Sequence, residues 1–358
     1  MKTYSIAVLP GDGIGPEVLA EAERVMRAAG EHFALRFDFH NHPIGAIAVH
    51  QLGDPFPNET RGAVSHADAV LLGAVGDPSL DNAPREQRPE TGLLALRAAL
   101  GVYANLRPVT VYPALADASP LKPERLRDVS LLIVRELTGG LYYGQPRGRG
   151  VDGAVNTLRY TVGEVTRVAR IAFEAARGRR RRVLSVDKAN VLETSQLWRD
   201  TVTTVAADYP DVTLEHIYVD YAAMRLVADP GSIDVLVTEN MFGDILSDEA
   251  AVLVGSLGLL PSASLGAGPG LFEPIHGSAP GIAGRGVANP IGAITSAAML
   301  LRQGLRQPEA ADAIDEAVAL AIADGARTRD IARPGEPVLG TQAMGSRIIE
   351  MLESVVEV

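Results

Sequence analysis

The feature that most constrains the fold is an alternation of short, continuous apolar runs with longer stretches of helical periodicity. The runs are Ser5 to Leu9, Ala69 to Leu72, Leu131 to Val134, Val183 to Val186, Leu214 to Val219 and Val235 to Val237. A strand that is apolar at every position has both faces buried, which is the condition of a parallel sheet covered by helices on either side. Helices are predicted over Pro16 to Ala29, with proline in the first turn, and over Val162 to Arg177, Thr194 to Ala207, Phe242 to Gly255 and Ala310 to Ala323. The expected class is α/β. The chain has 358 residues, and at roughly 150 residues per domain two domains are expected.

Composition removes several functions. With no cysteine there are no thiol nucleophiles, Fe–S clusters, disulfides or Cys-held zinc, so any metal must sit on oxygen or imidazole. Thirty-three basic against 44 acidic residues give a net charge of −11, which repels nucleic acid and anionic lipid. The longest apolar stretch, near Ala250 to Leu260, is well short of the ~20 residues of a membrane span, and no basic leader precedes a long apolar core. A soluble, untargeted, cytoplasmic protein is expected, with no nucleic-acid or membrane partner.

Gly139 to Tyr160 breaks the rhythm with six glycines, three arginines and an alternating Val155-to-Tyr160 tail. It reads as a protruding β-arm, and a hairpin that leaves the domain body needs a partner to cover it, which implies a dimer. Arg177 to Arg182 holds five arginines in six residues, and in an acidic chain this is a solvated helix end before a strand.

Open parallel sheets bind ligands beyond the carboxyl ends of their strands. Here one run closes on Arg135, another on Asp187-Lys188, a third on Asp220 and a fourth on Thr238-Glu239-Asn240. Asp244 and Asp248 then fall one helical turn apart on one face. A hard divalent cation would relieve their repulsion, and Asp220 could complete an oxygen-only set for Mg²⁺ or Mn²⁺. The plainer alternative is that acids near a helix start complement its dipole. Lysine occurs only at positions 2, 122 and 188, so Lys188 at a strand end suggests proton exchange, which arginine cannot perform. Arg97, Arg107 and Arg135 could bind a polycarboxylate through paired N–H donors. Together with the apolar turn around Leu93 and Leu94 they describe a dicarboxylate that carries a hydrocarbon branch.

Gly148 to Gly153 fits G-x-G-x-x-G, but with no strand before it and no helix after it the match is discounted. Gly11 to Pro16 does join a strand to a helix, without Rossmann spacing. A non-Rossmann nucleotide site remains open, helped by the turn-rich segments Glu273 to Pro280 and Ala288 to Pro290.

Seven ordered motifs carry a resemblance over essentially the whole chain: G-D-G-I-G-P at 11–16, R-P-E-T-G-L-L-A-L-R at 88–97, N-L-R-P at 105–108, R-E-L-T-G-G-L-Y-Y-G at 135–144, D-K-A-N-V-L at 187–192, N-M-F-G-D-I-L-S-D at 240–248 and E-P-I-H-G-S-A-P at 273–280. In them the chain resembles the β-decarboxylating 2-hydroxyacid dehydrogenases, the family of isopropylmalate, isocitrate, homoisocitrate and tartrate dehydrogenases. The nearest resemblance is to the members that act on isopropylmalate. It implies a two-domain, non-Rossmann fold on a continuous mixed sheet. The first domain would combine residues 1–102 and 255–358, and the second would be 103–254, with the arm at about 139–160.

The implied reaction is oxidative decarboxylation of (2R,3S)-3-isopropylmalate to 4-methyl-2-oxopentanoate in leucine biosynthesis, with NAD and Mg²⁺ or Mn²⁺. By the same resemblance Arg97, Arg107 and Arg135 bind the malate carboxylates, Leu93 and Leu94 line the branch pocket, and Glu90 lies on the nicotinamide side. Asp220, Asp244 and Asp248 hold the metal. Lys188 accepts the hydroxyl proton, the metal stabilises the enolate left by CO₂, and Tyr142 helps protonate it. Lys188 and Asp220 would come from the second subunit of a homodimer with shared sites. Ile14, Glu273, His276, Gly277, Ser278, Ala279, Pro280, Gly281 and Asn289 match the coenzyme site. Gly281 stands where NAD-using relatives carry an aspartate that reaches the adenosine ribose, and the nearest cation downstream is Arg285. Rival readings are the same chemistry on homoisocitrate, isocitrate or tartrate, and a silent regulatory paralogue. Leu93 and Leu94 oppose the first, and intact Lys188, Tyr142 and metal acids oppose the second.

Overall fold

The structure is a computed structural model that describes residues 2–356. In chain order the strands are β1 (Lys2–Gly11), β2 (Leu35–Asn41), β3 (Ala69–Ala74), β4 (Val102–Thr110), β5 (Ser130–Glu136), β6 (Gly148–Arg149), β7 (Ala154–Val155), β8 (Arg182–Asp187), β9 (Thr213–Tyr218), β10 (Val235–Thr238), β11 (Pro261–Gly266) and β12 (Leu271–Pro274). The helices are α1 (Gly15–His32), α2 (Ala46–Leu52), α3 (Asn58–His66), α4 (Pro89–Leu100), α5 (Val162–Arg177), α6 (Glu193–Ala206), α7 (Val219–Ala228), α8 (Asn240–Val254), α9 (Ile291–Met299), α10 (Pro308–Ala323) and α11 (Thr341–Val356). The chain forms two compact units. One is Met1–Val102, Tyr112–Ala118 and Gly255–Val358; the other is Tyr103–Val111 and Ser119–Val254.

The first unit orders its strands β2-β1-β3-β12-β11, parallel except for β11 against β12. Its centre is α9, whose nine residues are all buried, as a helix that is apolar all round must be. The two hydroxyls this buries are satisfied locally, Thr295 donating to the Ile291 carbonyl at 2.8 Å and Ser296 to the Gly292 carbonyl at 2.7 Å.

The second unit orders its strands β4-β5-β10-β8-β9, with β4 antiparallel to β5 and the other neighbours parallel. The apolar runs therefore mark strands correctly but not their direction: periodicity alone suggests a parallel sheet, and the mixed sheet is the one that the family resemblance implied. On α5 the buried Val165, Val168, Ala169, Ala172, Phe173 and Ala176 recur at helical spacing. The helix starts on a capping box, Thr161 with Glu164, of the kind worth roughly 1 kcal/mol.

The arm is slighter than its sequence suggests. Only Gly148–Arg149 and Ala154–Val155 pair as antiparallel strands, and residues 148–156 are exposed. The arginine run after α5 is not merely a solvated helix end: Arg179 Nε donates at 2.9 Å to the fully buried carboxylate of Asp234, and Arg180 reaches the Gly231 and Ile233 carbonyls. Among the described residues no helix is long and apolar enough to cross a membrane.

Candidate active site

In the second unit the parallel strands β5, β10, β8 and β9 bring their carboxyl ends to one rim. The register sets Thr238 beside Arg135 and Asp187 beside Tyr218. Arg135 is the last residue but one of β5, and α8 starts two residues after β10 ends, so the helix face at 240, 243, 244, 247 and 248 lies over that arginine.

Four of these five positions meet the arginines directly. Asn240 Oδ1 accepts from Arg135 Nη2 at 2.7 Å and Nε at 3.1 Å. Gly243 makes room for the arginine stem, since a Cβ there would lie 2.7 Å from Arg135 Cγ. Asp244 accepts from Arg135 Nη1 through one oxygen and from the Tyr142 hydroxyl, at 2.8 Å, through the other. Ser247 Oγ takes Arg107 Nη1 at 2.5 Å, while Asn105 Oδ1 takes Arg107 Nε at 2.6 Å. Arg107 Nη2 also lies 3.7 Å from Asp244. Two buried guanidiniums, 2% and 6% exposed, are thus compensated by charge and fixed in plane.

The titrations follow from this packing. Burial, and then the hydrogen bond to Asp244, push the Tyr142 hydroxyl up to about 12, so it keeps its proton at neutral pH. Burial also raises Asp248; Arg107 opposes the shift and neighbouring Asp244 adds to it.

Lys188 follows β8, and its Nζ lies 2.5 Å from Asp220 Oδ1. Asp220 belongs to the first turn of α7 rather than to a strand end, and the hydrogen bond from Lys188 holds its carboxyl below the usual range. Buried Asp187 anchors the same corner by two 2.9 Å bonds from Arg199 and one from the Ala189 amide. Among the described residues no three His, Asp or Glu side chains are grouped so as to hold a metal ion. One chain alone therefore offers Asp244 and Asp248 together on α8 and Asp220 paired with Lys188.

In the first unit Arg97 is 8% exposed and donates from Nη2 to Glu273 Oε1 at 2.9 Å. Glu90, Leu94 and Arg97 share a face of α4 by their spacing, whereas Leu93 and Leu94 diverge by about 100°. Both leucines are half-buried.

The G-D-G-I-G-P loop serves close approach. A Cβ on Gly13 would stand 1.9 Å from the Ser278 carbonyl, which accepts from the Ile14 amide at 2.8 Å. Asp12 meanwhile accepts from the amides of Ala46, Ile47 and Gly76. This loop and the H-G-S-A-P loop flank a cavity of about 250 Å³ lined by Ile14, His276, Ile282, Asn289, Arg329 and Asp330, among others.

His276 Nδ1 bonds the Gly277 carbonyl at 3.0 Å, which makes that nitrogen the donor and leaves Nε2 an acceptor. Nε2 is shut from solvent and has no partner among the described residues. Burial lowers the pKa of this histidine, so the neutral ring persists. Asn289 spends its side chain on Asp330 and the Ile291 amide, each at 3.0 Å. Gly277 to Gly281 continue the loop between His276 and Ile282. Ala279 is in a left-handed conformation, and a Cβ on Gly281 would meet nothing within 4 Å. Arg329 is the cation on the cavity wall, and Arg285 is not among its lining residues.

Sequence reasoning gave no role to Asn240, which it placed only as the close of a strand run, and it missed Gly243, Ser247, Asn105, Arg329 and Asp330. The first three were detectable from the i, i+3, i+4, i+7 spacing inside N-M-F-G-D-I-L-S-D. The others come from segments whose proximity no local pattern records.

The sequence model of the family described as isocitrate/isopropylmalate dehydrogenase matches residues 5–348. The chain belongs to this family of dehydrogenases, which act on small-molecule substrates. It is 53% identical over 360 residues to the 3-isopropylmalate dehydrogenase of Synechocystis sp., covering 99% of each chain. To that of Prochlorococcus marinus it is 54% identical, covering 98% of this chain and 100% of the relative. Among solved structures, an isocitrate dehydrogenase from Methylococcus capsulatus superposes with a TM-score of 0.87 at 36% identity, over 98% of this chain and 99% of the other.

Proposed function

We propose that the chain oxidatively decarboxylates (2R,3S)-3-isopropylmalate to 4-methyl-2-oxopentanoate in leucine biosynthesis, using NAD and Mg²⁺ or Mn²⁺. The observation that carries the reading is the convergence of Arg107, Arg135 and Tyr142 on one carboxylate, Asp244, a turn from Asp248 on α8. The donor chemistry fits a hard cation, because burial and the like charge of Asp244 one turn away both make Asp248 costly to ionise. The coenzyme fit rests on His276 Nε2, a buried acceptor that lacks a donor. When bound, NAD supplies the hydride acceptor and the divalent cation supplies Lewis acidity at the 2-hydroxyl.

The chain's own residues do the rest. Arg97, Arg107 and Arg135 bind the two carboxylates, the latter two pre-oriented by Asn105, Ser247 and Asn240. Lys188, held in place by Asp220, takes the hydroxyl proton. Tyr142, whose hydroxyl is raised by burial and so keeps its proton at neutral pH, helps protonate the enolate left by loss of CO₂ at carbon. Asp220, Asp244 and Asp248 hold the metal. Coenzyme contacts fall to Ile14, Glu273, His276, Gly277, Ser278, Ala279, Pro280, Gly281 and Asn289, with Glu90 on the nicotinamide side. NADH release on 3-isopropylmalate with Mn²⁺ is the direct assay, and absence of turnover would overturn the reading. Zero cysteines suit the reducing cytoplasm, where we place the enzyme.

Leu94, and beside it Leu93, would face the branch. Removing branch methyls from the substrate is expected to cost about 1 kcal/mol each in transition-state binding, a few-fold in kcat/KM. A higher kcat/KM on isocitrate or homoisocitrate would reassign the substrate within the family.

A homodimer with shared sites is supported by neighbouring helices that expose apolar side chains, Tyr221, Met224 and Val227 on α7 with Ile245 and Val252 on α8. Mixed Lys188→Ala and Asp244→Asn subunits should then recover part of the lost activity. No recovery after proven subunit exchange would count against sharing.

Gly281 offers no carboxylate to the ribose, so NAD preference should be retained but relaxed. The Gly281→Asp variant meets no steric obstacle at Cβ and is expected to bind NAD more tightly by about 1–2 kcal/mol, as a solvent-discounted charged hydrogen bond. Titration of NAD and NADP into both proteins measures this. A wild-type preference for NADP of about tenfold or more would show a cation such as Arg329 recognising the 2′-phosphate.

A further inference from the structure

The side-chain amide of Asn240 is 1% exposed and has every hydrogen-bonding position filled. Its oxygen accepts twice, from Arg135 Nε and Nη2, and its nitrogen donates twice, to the Leu137 carbonyl at 3.0 Å and the Gly139 carbonyl at 3.1 Å. The orientation is unambiguous, because one side meets only guanidinium donors and the other only carbonyl acceptors. Its backbone is held as well: the Asn240 amide donates to the Tyr160 hydroxyl at 3.0 Å, and that hydroxyl donates to Glu239 at 3.1 Å.

The two carbonyls begin the turn that carries Tyr142. Gly139 opens it with its amide on Glu136, and the single 3-10 turn Gly140–Tyr142 follows. The segment lies against Tyr160 so closely that a Cβ on Gly139 would stand 2.7 Å from the ring and one on Gly140 2.3 Å from its hydroxyl. One amide therefore ties the guanidinium of Arg135 to the start of the segment whose tyrosine reaches Asp244.

We propose that Asn240 is a positioning residue that keeps the carboxylate-binding plane of Arg135 and the proton-donating hydroxyl of Tyr142 in fixed register. The inference rests on the reading of Arg135 and Tyr142 given above. Without the oxygen, Arg135 would rotate about its last torsions and bind its carboxylate poorly, which is a loss in KM. Without the two N–H donors, the turn would be free to shift and Tyr142 would miss its carbon, which is a loss in kcat. A misplacement of about 1 Å suffices for a hundredfold effect.

Two substitutions separate these arms. Asn240→Asp keeps an acceptor for Arg135 and removes both donors to the turn. It is expected to leave the calorimetric Kd of 3-isopropylmalate with Mn²⁺ within about threefold of wild type while kcat falls at least tenfold. In that background a further Tyr142→Phe change should cost much less than it does alone, since the hydroxyl is already out of place. Asn240→Leu removes both functions and should raise Kd and lower kcat together. If Asn240→Asp does not fold, judged by loss of its melting transition, Gly139→Ala tests the turn by pressing on Tyr160, and the same kcat loss at near-constant Kd is expected. Wild-type kcat in the variant that folds, or full additivity with Tyr142→Phe, would overturn the proposal. Failure of wild-type enzyme to bind or turn over 3-isopropylmalate would instead strike the functional reading beneath it.

Discussion

Replacing Lys188 with alanine is expected to lower kcat by about 10²–10⁴-fold, the usual worth of a positioned general base. The side chain projects from the residue after β8, and its amine lies 2.5 Å from Asp220, which holds it in place. Buried Asp187, clamped by Arg199, fixes the backbone just before it. Lys188→Arg is the sharper variant, because it retains the positive charge and the pairing to Asp220 but holds its proton at any working pH. Both variants should therefore lose the oxidation step, measured as the single-turnover rate of NADH formation. A Lys188→Arg enzyme within tenfold of wild type would show that Lys188 contributes charge and not proton transfer.

The second large effect is expected at Asp244. Asn in its place preserves volume and one acceptor, yet removes the charge that faces Arg135 and Arg107 and that would face the proposed cation. Mn²⁺ should bind at least about a hundredfold more weakly, and kcat/KM should fall by several kcal/mol of transition-state stabilisation, on the order of 10³-fold. A further consequence tests the geometry directly. Asp244 is one of the groups that raise the Tyr142 hydroxyl, so Asp244→Asn should bring it down from about 12, readable by ultraviolet difference titration of the tyrosinate. Full activity in excess chelator would refute the metal role, and an unmoved Tyr142 titration would refute the hydrogen bond.

Much of this site was legible in the chain. Arg135, Lys188, Asp244 and Asp248 stand out because strands with both faces buried end abruptly in charge, and because two acids four apart share a helix face. Those are local properties, fixed by periods of two and 3.6 residues, and they survive in a one-dimensional reading. Strand direction did not survive it. β4 and β11 are antiparallel to their partners β5 and β12, and no run of valines records which way its partner points.

The same division separates the two acids of α8 from what holds the arginines. Sequence alone determined the α/β class, the family motifs and the charged rim, since each rests on spacing within one element. Only the tertiary structure decided that Asn240 caps Arg135 from 105 positions away, that Gly243 is needed for the stem of that arginine, and that Arg329 rather than Arg285 reaches the cavity of Ile14 and His276. The physical reason is that a buried polar group must find partners wherever packing places them, and which distant segments packing brings together is a property of the whole fold.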